Sequence, residues 1–442
     1  MKIYFVSLGC DKNLVDSEVM LGLLRDAGHE LTDDCMEAEA AVINTCCFIH
    51  DAKEESINTI IELGERKKDA KLKKLVITGC LAERYADEIA EQLPEVDVVL
   101  GTTAFDEIVE AIEGDTGEQT EIVRKEPDRL PLPDTKRLLS GGSYVSYLKI
   151  AEGCSKHCTY CIIPKVRGNY RSVPMEKLIS EAEYLASEGV RELILVAQET
   201  TMYGTDLYGE KRLPELLRRL CRIEGLVRLR LMYCYPEELT DELLHTMASE
   251  PKICHYLDLP IQHASNRILR DMGRRTTKEE ISEIIAKIRV VMPDAAIRTS
   301  LITGFPGETE EEFEELKEFV RKTRFTRLGV FSYSKEEGTP AAKRKDQIPK
   351  RIKERRRKEI MLLQQELSLE NGRALIGKNL EVLVDGRIPE EGVTVGRTYM
   401  DAPNIDGNVY FPTDYELISG SLCSVRITDA SEYDLIGEVT EQ

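Results

Sequence analysis

Ten short apolar runs separated by helical patterns occupy the first three quarters of this chain, and that alternation fits parallel sheets covered by helices. Four runs, at 3–8, 40–43, 75–77 and 96–100, predict an N-terminal parallel α/β domain over residues 1–125. Composition changes from 113 to 142, where Pro, Gly and charge accumulate (Glu126-Pro127-Asp128, Leu130-Pro131-Leu132-Pro133, Ser140-Gly141-Gly142), so a linker is expected over 126–142. Six further runs, at 144–150, 192–197, 227–233, 256–261, 297–303 and 328–334, alternate with helical patterns at 174–187, 213–223, 277–291 and 310–322. Six βα units are too few for a closed eight-stranded barrel. They predict an open, TIM-like (β/α)6 partial barrel over 143–373, with its site at the carboxyl ends of the strands. From 374 to 442 short alternating strands with Gly, Asp, Asn and Pro turns predict a small all-β barrel.

A length of 442 residues suits about three domains, each with its own core. Charged residues at 32% and hydrophobic ones at 42% exclude a disordered chain. No apolar run approaches the roughly 18 residues of a membrane span. The first apolar run meets Asp11 and Lys12 too early to form a secretory signal, so a cytoplasmic location is expected. In that reducing setting twelve cysteines read as metal ligands or buried thiols, not disulfides. The net charge of -20 disfavours a broad grip on nucleic acid. Residues 343–358 run against that trend at net +8, which reads as a solvated helix face or as a weak RNA contact.

Cys154, Cys158 and Cys161 form a C-x3-C-x2-C run directly after the first strand of the predicted barrel. Three thiolates so close can hold one iron–sulfur cluster and leave one iron open to an outside ligand. A zinc site with His157 as fourth ligand is the competing reading, but zinc favours paired C-x2-C units. Cys10, Cys46 and Cys80 are far apart in sequence, yet each ends an apolar run of the N-terminal domain. In a parallel sheet those ends lie side by side, so the three predict a second three-thiolate site. Each taken singly is equally a buried thiol. Cys47 projects to the other side of an extended segment and is left out of the set.

The C-x3-C-x2-C run with Tyr160 before its last cysteine, opening a six-unit barrel, resembles the radical S-adenosylmethionine (SAM) superfamily. With SLGCDKNLVDSE at 7–18, NTC at 44–46, TGC at 78–80, CIIPKVRG at 161–168 and LDLPIQHA at 257–264, the chain resembles the methylthiotransferase family over essentially its whole length, including a TRAM-like C-terminal barrel. Cys47 departs from the family, which usually carries a small non-thiol residue there. The resemblance implies two 4Fe-4S clusters, one on Cys154, Cys158 and Cys161 and one on Cys10, Cys46 and Cys80, and two SAM molecules that together place sulfur and methyl on an unactivated carbon. The candidate SAM contacts are Tyr160, Gln198, Gln262, Arg298 and Gly304. A plain strand-to-helix turn capped by Thr309 explains Gly304 equally well, and His263 reads equally as a satisfied core histidine.

NLVDSE at 13–18, FI at 48–49 with AKEES at 52–56, and VAQETT at 196–201 with YG at 203–204 resemble the ribosomal-protein branch of the family. That branch implies as substrate the β-carbon of an aspartate in ribosomal protein S-twelve, free or in the small subunit, with an external electron donor; a monomer suffices. Residues 373–442 carry five basic and thirteen acidic residues, net -8, which suits a basic protein partner better than RNA. The alternatives are a tRNA adenosine methylthiotransferase and a non-enzymatic iron–sulfur or zinc module.

Overall fold

A computed structural model describes residues 1–69, 71–115, 117, 119–140 and 144–441, so Gly141 and Gly142 of the expected linker lie outside the described residues. Strands β1 (Lys2–Ser7), β2 (Glu30–Thr32), β3 (Ala40–Thr45), β4 (Lys74–Gly79), β5 (Val98–Leu100) and β6 (Glu121–Val123) form one parallel sheet in the order β2-β1-β3-β4-β5-β6. Helices α1 (Asp11–Asp26), α2 (His50–Asp69), α3 (Cys80–Gln92) and α4 (Ile108–Glu113) connect them. Every residue of β3 and β4 is buried, because alternate side chains enter two separate cores. Ala41, Ile43, Leu75 and Ile77 pack on one face and Ile3, Ala40, Val42 and Val76 on the other. Two strands depart from the expectation. The edge strands β2 and β6 are three residues long and part-exposed, so they carry little apolar signal, and β6 lies inside the stretch whose composition reads as connecting chain.

The central sheet runs β14-β13-β12-β11-β10-β7, all parallel and open at both edges. Its strands are β7 (Val145–Lys149), β10 (Glu192–Val196), β11 (Arg228–Leu231), β12 (Ile253–Asp258), β13 (Ala296–Thr303) and β14 (Arg327–Ser332). A short antiparallel pair, β8 (Ala151–Glu152) with β9 (Arg171–Ser172), closes the base of the cysteine loop and escapes any periodicity argument at two residues a side. Helices α5 (Ile163–Val166), α6 (Met175–Ser187), α7 (Leu213–Cys221), α8 (Asp241–Ser249), α9 (Asn266–Asp271), α10 (Lys278–Val291), α11 (Glu310–Thr323) and α12 (Lys350–Arg373) follow. Thr277 with Glu280 and Thr309 with Glu312 form capping boxes that start α10 and α11.

Strands β15 (Asn379–Ile388), β16 (Val393–Arg397), β17 (Val409–Pro412), β18 (Leu422–Ala430) and β19 (Leu435–Glu441) make a closed barrel around Val382, Val384, Val409, Phe411, Val425 and Ile427. Its connection after β16 reaches the central sheet. Met400 and Ala402 pack against Ile194, Val196, Tyr256 and Ala296. Charges accompany them: Arg230 and Arg397 each lie 2.8 Å from the buried Glu192, and Arg298 sits 2.6 Å from Asp258 and 3.6 Å from Asp406.

Part of the basic stretch is paired with neighbouring elements, while Lys343, Lys345, Lys350, Arg351, Arg357 and Lys358 stay exposed. Arg344 pairs with Asp271 at 2.8 Å and Asp346 at 2.6 Å, Arg355 with Glu310 at 2.8 Å, and Arg356 with Glu308 at 3.3 Å and Glu310 at 2.8 Å. Lys353 Nζ donates to the Tyr333 carbonyl at 2.9 Å. Among the described residues no helix is long and apolar enough to cross a membrane.

Candidate functional site

The carboxyl ends of β1, β3 and β4, neighbours in the sheet, deliver Cys10, Cys46 and Cys80 to one edge of the N-terminal domain. Gly9 permits the approach: at φ +96° it turns the chain before Cys10, and a Cβ there would stand 2.8 Å from Cys46 Cβ and 3.2 Å from Cys46 Sγ. Ser56 clamps Cys46, accepting from its N–H at 3.0 Å and donating to its carbonyl at 3.1 Å. Burial pushes the Cys46 and Cys80 thiols up, and the nearby Cys10 adds to both shifts. Cys47 is fully buried, and its thiol donates to the Cys80 carbonyl at 3.2 Å. It is therefore a backbone-bonded neighbour of the trio.

Cys154, Cys158 and Cys161 occupy the loop between β8 and α5, at the carboxyl end of the first central strand. All three thiols are free. Burial, then the neighbouring thiols, pushes Cys154 up to about 11 and Cys161 up to about 12. Among the described residues no three His, Cys, Asp or Glu side chains converge on a point for a single metal ion.

Between the two trios lies a buried ionic knot. Arg167, 2% exposed, donates through Nε to Cys80 Sγ at 3.3 Å and through Nη1 to Asp16 at 2.8 Å and Glu152 at 3.0 Å. Lys149 also pairs with Asp16 and, at 2.8 Å, with Glu152. Against the penalty of burial, Arg167 and Lys149 hold the Glu152 carboxyl well below the usual carboxylate range. Glu152 stands two residues before Cys154, so one guanidinium touches a thiol of the first trio and the strand that carries the second. A second tie joins the domains at Glu336, which takes Lys53 at 2.9 Å and Arg84 at 3.1 Å. Asp16 and Arg167 lie in the motifs at 7–18 and 161–168 and the other tie residues lie outside them, and spacing alone singles out none of Asp16, Lys149, Glu152 or Arg167.

Of the candidate contacts, Gln198 comes to this centre, with Nε2 donating to Glu152 Oε1 at 3.0 Å. Tyr160, within the cysteine loop, packs against the cluster that includes Met272 and Phe305. Gln262 lies past the carboxyl end of β12 at φ +71°. Of five non-glycine residues with left-handed backbone among the described residues, His157, Tyr233 and Gln262 belong to the cysteine loop or the carboxyl mouth, where strain accompanies function. Arg298 is committed to Asp258 and Asp406. Gly304 turns against Lys353 of α12, and its N–H donates to Glu308. His263 is buried, accepting from Ser265 N–H at 2.9 Å, while its Nε2 stands 3.5 Å from Glu308 without a hydrogen bond, so it is not the fully satisfied core histidine of the plain reading.

Buried polar atoms without a hydrogen-bond partner lie by the cysteine loop: Gln198 Oε1 and Glu199 Oε2, just past β10, and the Tyr170 hydroxyl. Burial pushes the Glu199 carboxyl up to about 7. Unsatisfied groups of this kind fit a polar ligand carrying amino, carboxylate and hydroxyl functions, and the free thiols beside them fit iron–sulfur ligation.

Residues 2–101 match Uncharacterized protein family UPF0004, residues 148–320 the Radical SAM superfamily and residues 376–440 the TRAM domain. The Radical SAM match implies SAM and a 4Fe-4S cluster. Among solved structures, the radical SAM methyltransferase TsrM from Kitasatospora setae has a TM-score of 0.55 at 16% identity, covering 89% of this chain and 80% of its own. The cobalamin-dependent radical enzyme OxsB has a TM-score of 0.52 at 11% identity, covering 77% and 54%. These two show the fold alone. Curated relatives go further: the ribosomal protein uS12 methylthiotransferase RimO of Acetivibrio thermocellus is 49% identical over 449 residues, covering 100% of this chain and 99% of its own. With its counterpart in Lachnoclostridium phytofermentans 61% identical over 437 residues, 99% of both chains, this chain belongs to the RimO family of radical SAM methylthiotransferases.

Proposed function

We propose that this radical SAM methylthiotransferase acts on the β-carbon of an aspartate in ribosomal protein uS12, in the cytoplasm, as a monomer served by an external electron donor. Cys154, Cys158 and Cys161 hold one 4Fe-4S cluster, and Cys10, Cys46 and Cys80 hold a second. Once bound, the two clusters and two SAM molecules supply the radical, sulfur and methyl that replace hydrogen by methylthio at a carbon too weakly acidic for a general base.

The chain's own residues align and dry that chemistry. Arg167 carries the reading: it reaches Cys80 at 3.3 Å and Glu152 at 3.0 Å, so one side chain ties the N-terminal thiol to the strand that leads into Cys154. Asp16 from the N-terminal domain and Glu152 from the central one hold Arg167 by ion pairs, and Lys149 shares both carboxylates. Tyr160, Gln198 and Gln262 line the approach for SAM, with Gln198 oriented by Glu152. Arg298 and Gly304 serve as supports for the strand ends. The net charge of -8 over residues 373–442 complements a basic ribosomal protein. The exposed lysines and arginines left on 343–358 are where any weak RNA contact would fall.

The test is anaerobic reconstitution followed by incubation with SAM, a strong reductant, uS12 and tRNA, each read by mass spectrometry. A methylthio gain on an aspartate peptide is expected. A gain on a tRNA adenosine instead would overturn the substrate, and iron without SAM cleavage would overturn the chemistry.

A further inference from the structure

Seven arginines are buried among the described residues. Arg137, Arg167, Arg228, Arg230, Arg356 and Arg397 each have a carboxylate within ion-pair distance. Arg274, just past α9 and 7% exposed, has none among the described residues. Its Nη2 donates to the Pro260 carbonyl at 3.0 Å, while Nε and Nη1 reach no acceptor. An uncompensated guanidinium in the interior is costly, so it persists where it meets an anion that the protein alone does not provide.

Its neighbourhood says which anion. The Arg274 guanidinium lies 4.2 Å from the centre of the Tyr235 ring, and Lys156 Nζ lies 5.0 Å from the same centre. The Tyr235 hydroxyl lies 3.7 Å from Cys158 Sγ. The segment is anchored to the cysteine loop itself, since Thr159 N–H donates to the Met272 carbonyl at 2.9 Å and Thr159 Oγ1 to the Asp271 carbonyl at 2.8 Å. A phenol attended by two cations is a better donor toward sulfur than an isolated one.

We propose that Arg274 and Tyr235 are positioning residues that set the reduction potential of the cluster held by Cys154, Cys158 and Cys161. Arg274 is its buried countercharge, and Tyr235 donates a hydrogen bond to the Cys158 sulfur. The inference rests on the reading of Cys158 as a cluster ligand. A thiolate-ligated cluster is anionic and gains one further negative charge when an external donor gives it one electron. A nearby cation and a hydrogen bond to sulfur both favour that reduced form, so both make reduction easier.

The experiment uses the full-length chain with Cys10, Cys46 and Cys80 changed to Ala, so that one cluster remains, reconstituted anaerobically and titrated by electron paramagnetic resonance. Tyr235→Phe and Arg274→Gln are each expected to move the midpoint to more negative potential at unchanged iron content, with Arg274→Lys returning part of the shift. An unchanged midpoint in Tyr235→Phe with iron intact would overturn the proposal, and that variant decides alone where Arg274→Gln does not fold. Cys158→Ala that keeps its iron would instead overturn the ligand reading, which separates the two failures.

Discussion

Arg167 in the central domain and Cys80 in the N-terminal domain meet across 3.3 Å, Nε to sulfur, in a pocket where Arg167 also holds Asp16 and Glu152. Replacing Arg167 by Lys keeps the charge and loses the fork that reaches all three partners. Arg167→Lys is expected to fold, to keep its iron, and to lose methylthiolation on the order of 10–100-fold, the usual cost of a lost outer-shell partner. Cleavage of SAM to 5′-deoxyadenosine should fall much less. Product ratios in one reaction check this, and parallel loss of both activities would contradict it.

The adjacent thiols Cys46 and Cys47 give a sharper contrast. Cys46→Ala should cost the N-terminal cluster and lower bound iron by about half, as expected when one of two equal clusters loses a ligand. Cys47→Ala removes a thiol bonded to the Cys80 carbonyl and to Arg84, and iron content should stay at the parent value. Iron assay after anaerobic reconstitution decides between them.

Glu192 predicts a pH dependence. Burial opposes its charge, but Arg230 and Arg397 overcome that and hold its carboxyl at about 2, below the model-peptide value of 4.5. A lowered carboxyl pKa contributes stability that is complete above the unfolded value and is lost as pH falls from about 4.5 toward 2. Glu192→Gln leaves Arg230 buried without a carboxylate and Arg397 with Asp385 alone, and should destabilise by roughly 3–5 kcal/mol at neutral pH. The gap from the parent in urea unfolding should narrow as the pH is lowered through that window.

Gly9 offers a local test. Gly9→Ala would force a side chain into the left-handed region and against Cys46. The expected result is a folded protein with reduced iron in the N-terminal site and full iron in the central one, read from site-resolved spectra of Cys154→Ala and Cys10→Ala backgrounds.

Much of this architecture is legible before folding. The central strands are parallel and the inner ones, β10 to β12, are buried nearly throughout, so their apolar runs stand out, and each predicted run of the barrel overlaps an observed strand. The C-terminal barrel announces itself through its turns. What escapes is short or relational. β2 and β6 each pair along one edge only and need few apolar residues; β8 and β9 are too brief for any period. Arg298 sits within a strand whose end faces the site, yet Asp406, more than a hundred residues on, helps claim its charge. Arg167 and Arg274 gain their meaning from partners on other domains and loops, or from the lack of one, and linear spacing encodes neither.

The segment after β16 brings Met400, Asp401, Ala402 and Asp406 against the inner surface of the open sheet, where Asp401 takes Arg327 and Arg397 takes Glu192. The C-terminal barrel is thereby part of the floor of the central domain, not an appendage. Truncation before residue 374 would strip counter-ions from Arg298 and Arg327, so no smaller catalytic fragment is to be had by trimming. A tail borrowed from a relative would fit only if it brought the same acidic loop, which ties any change of partner at this end to the integrity of the sheet that carries the chemistry.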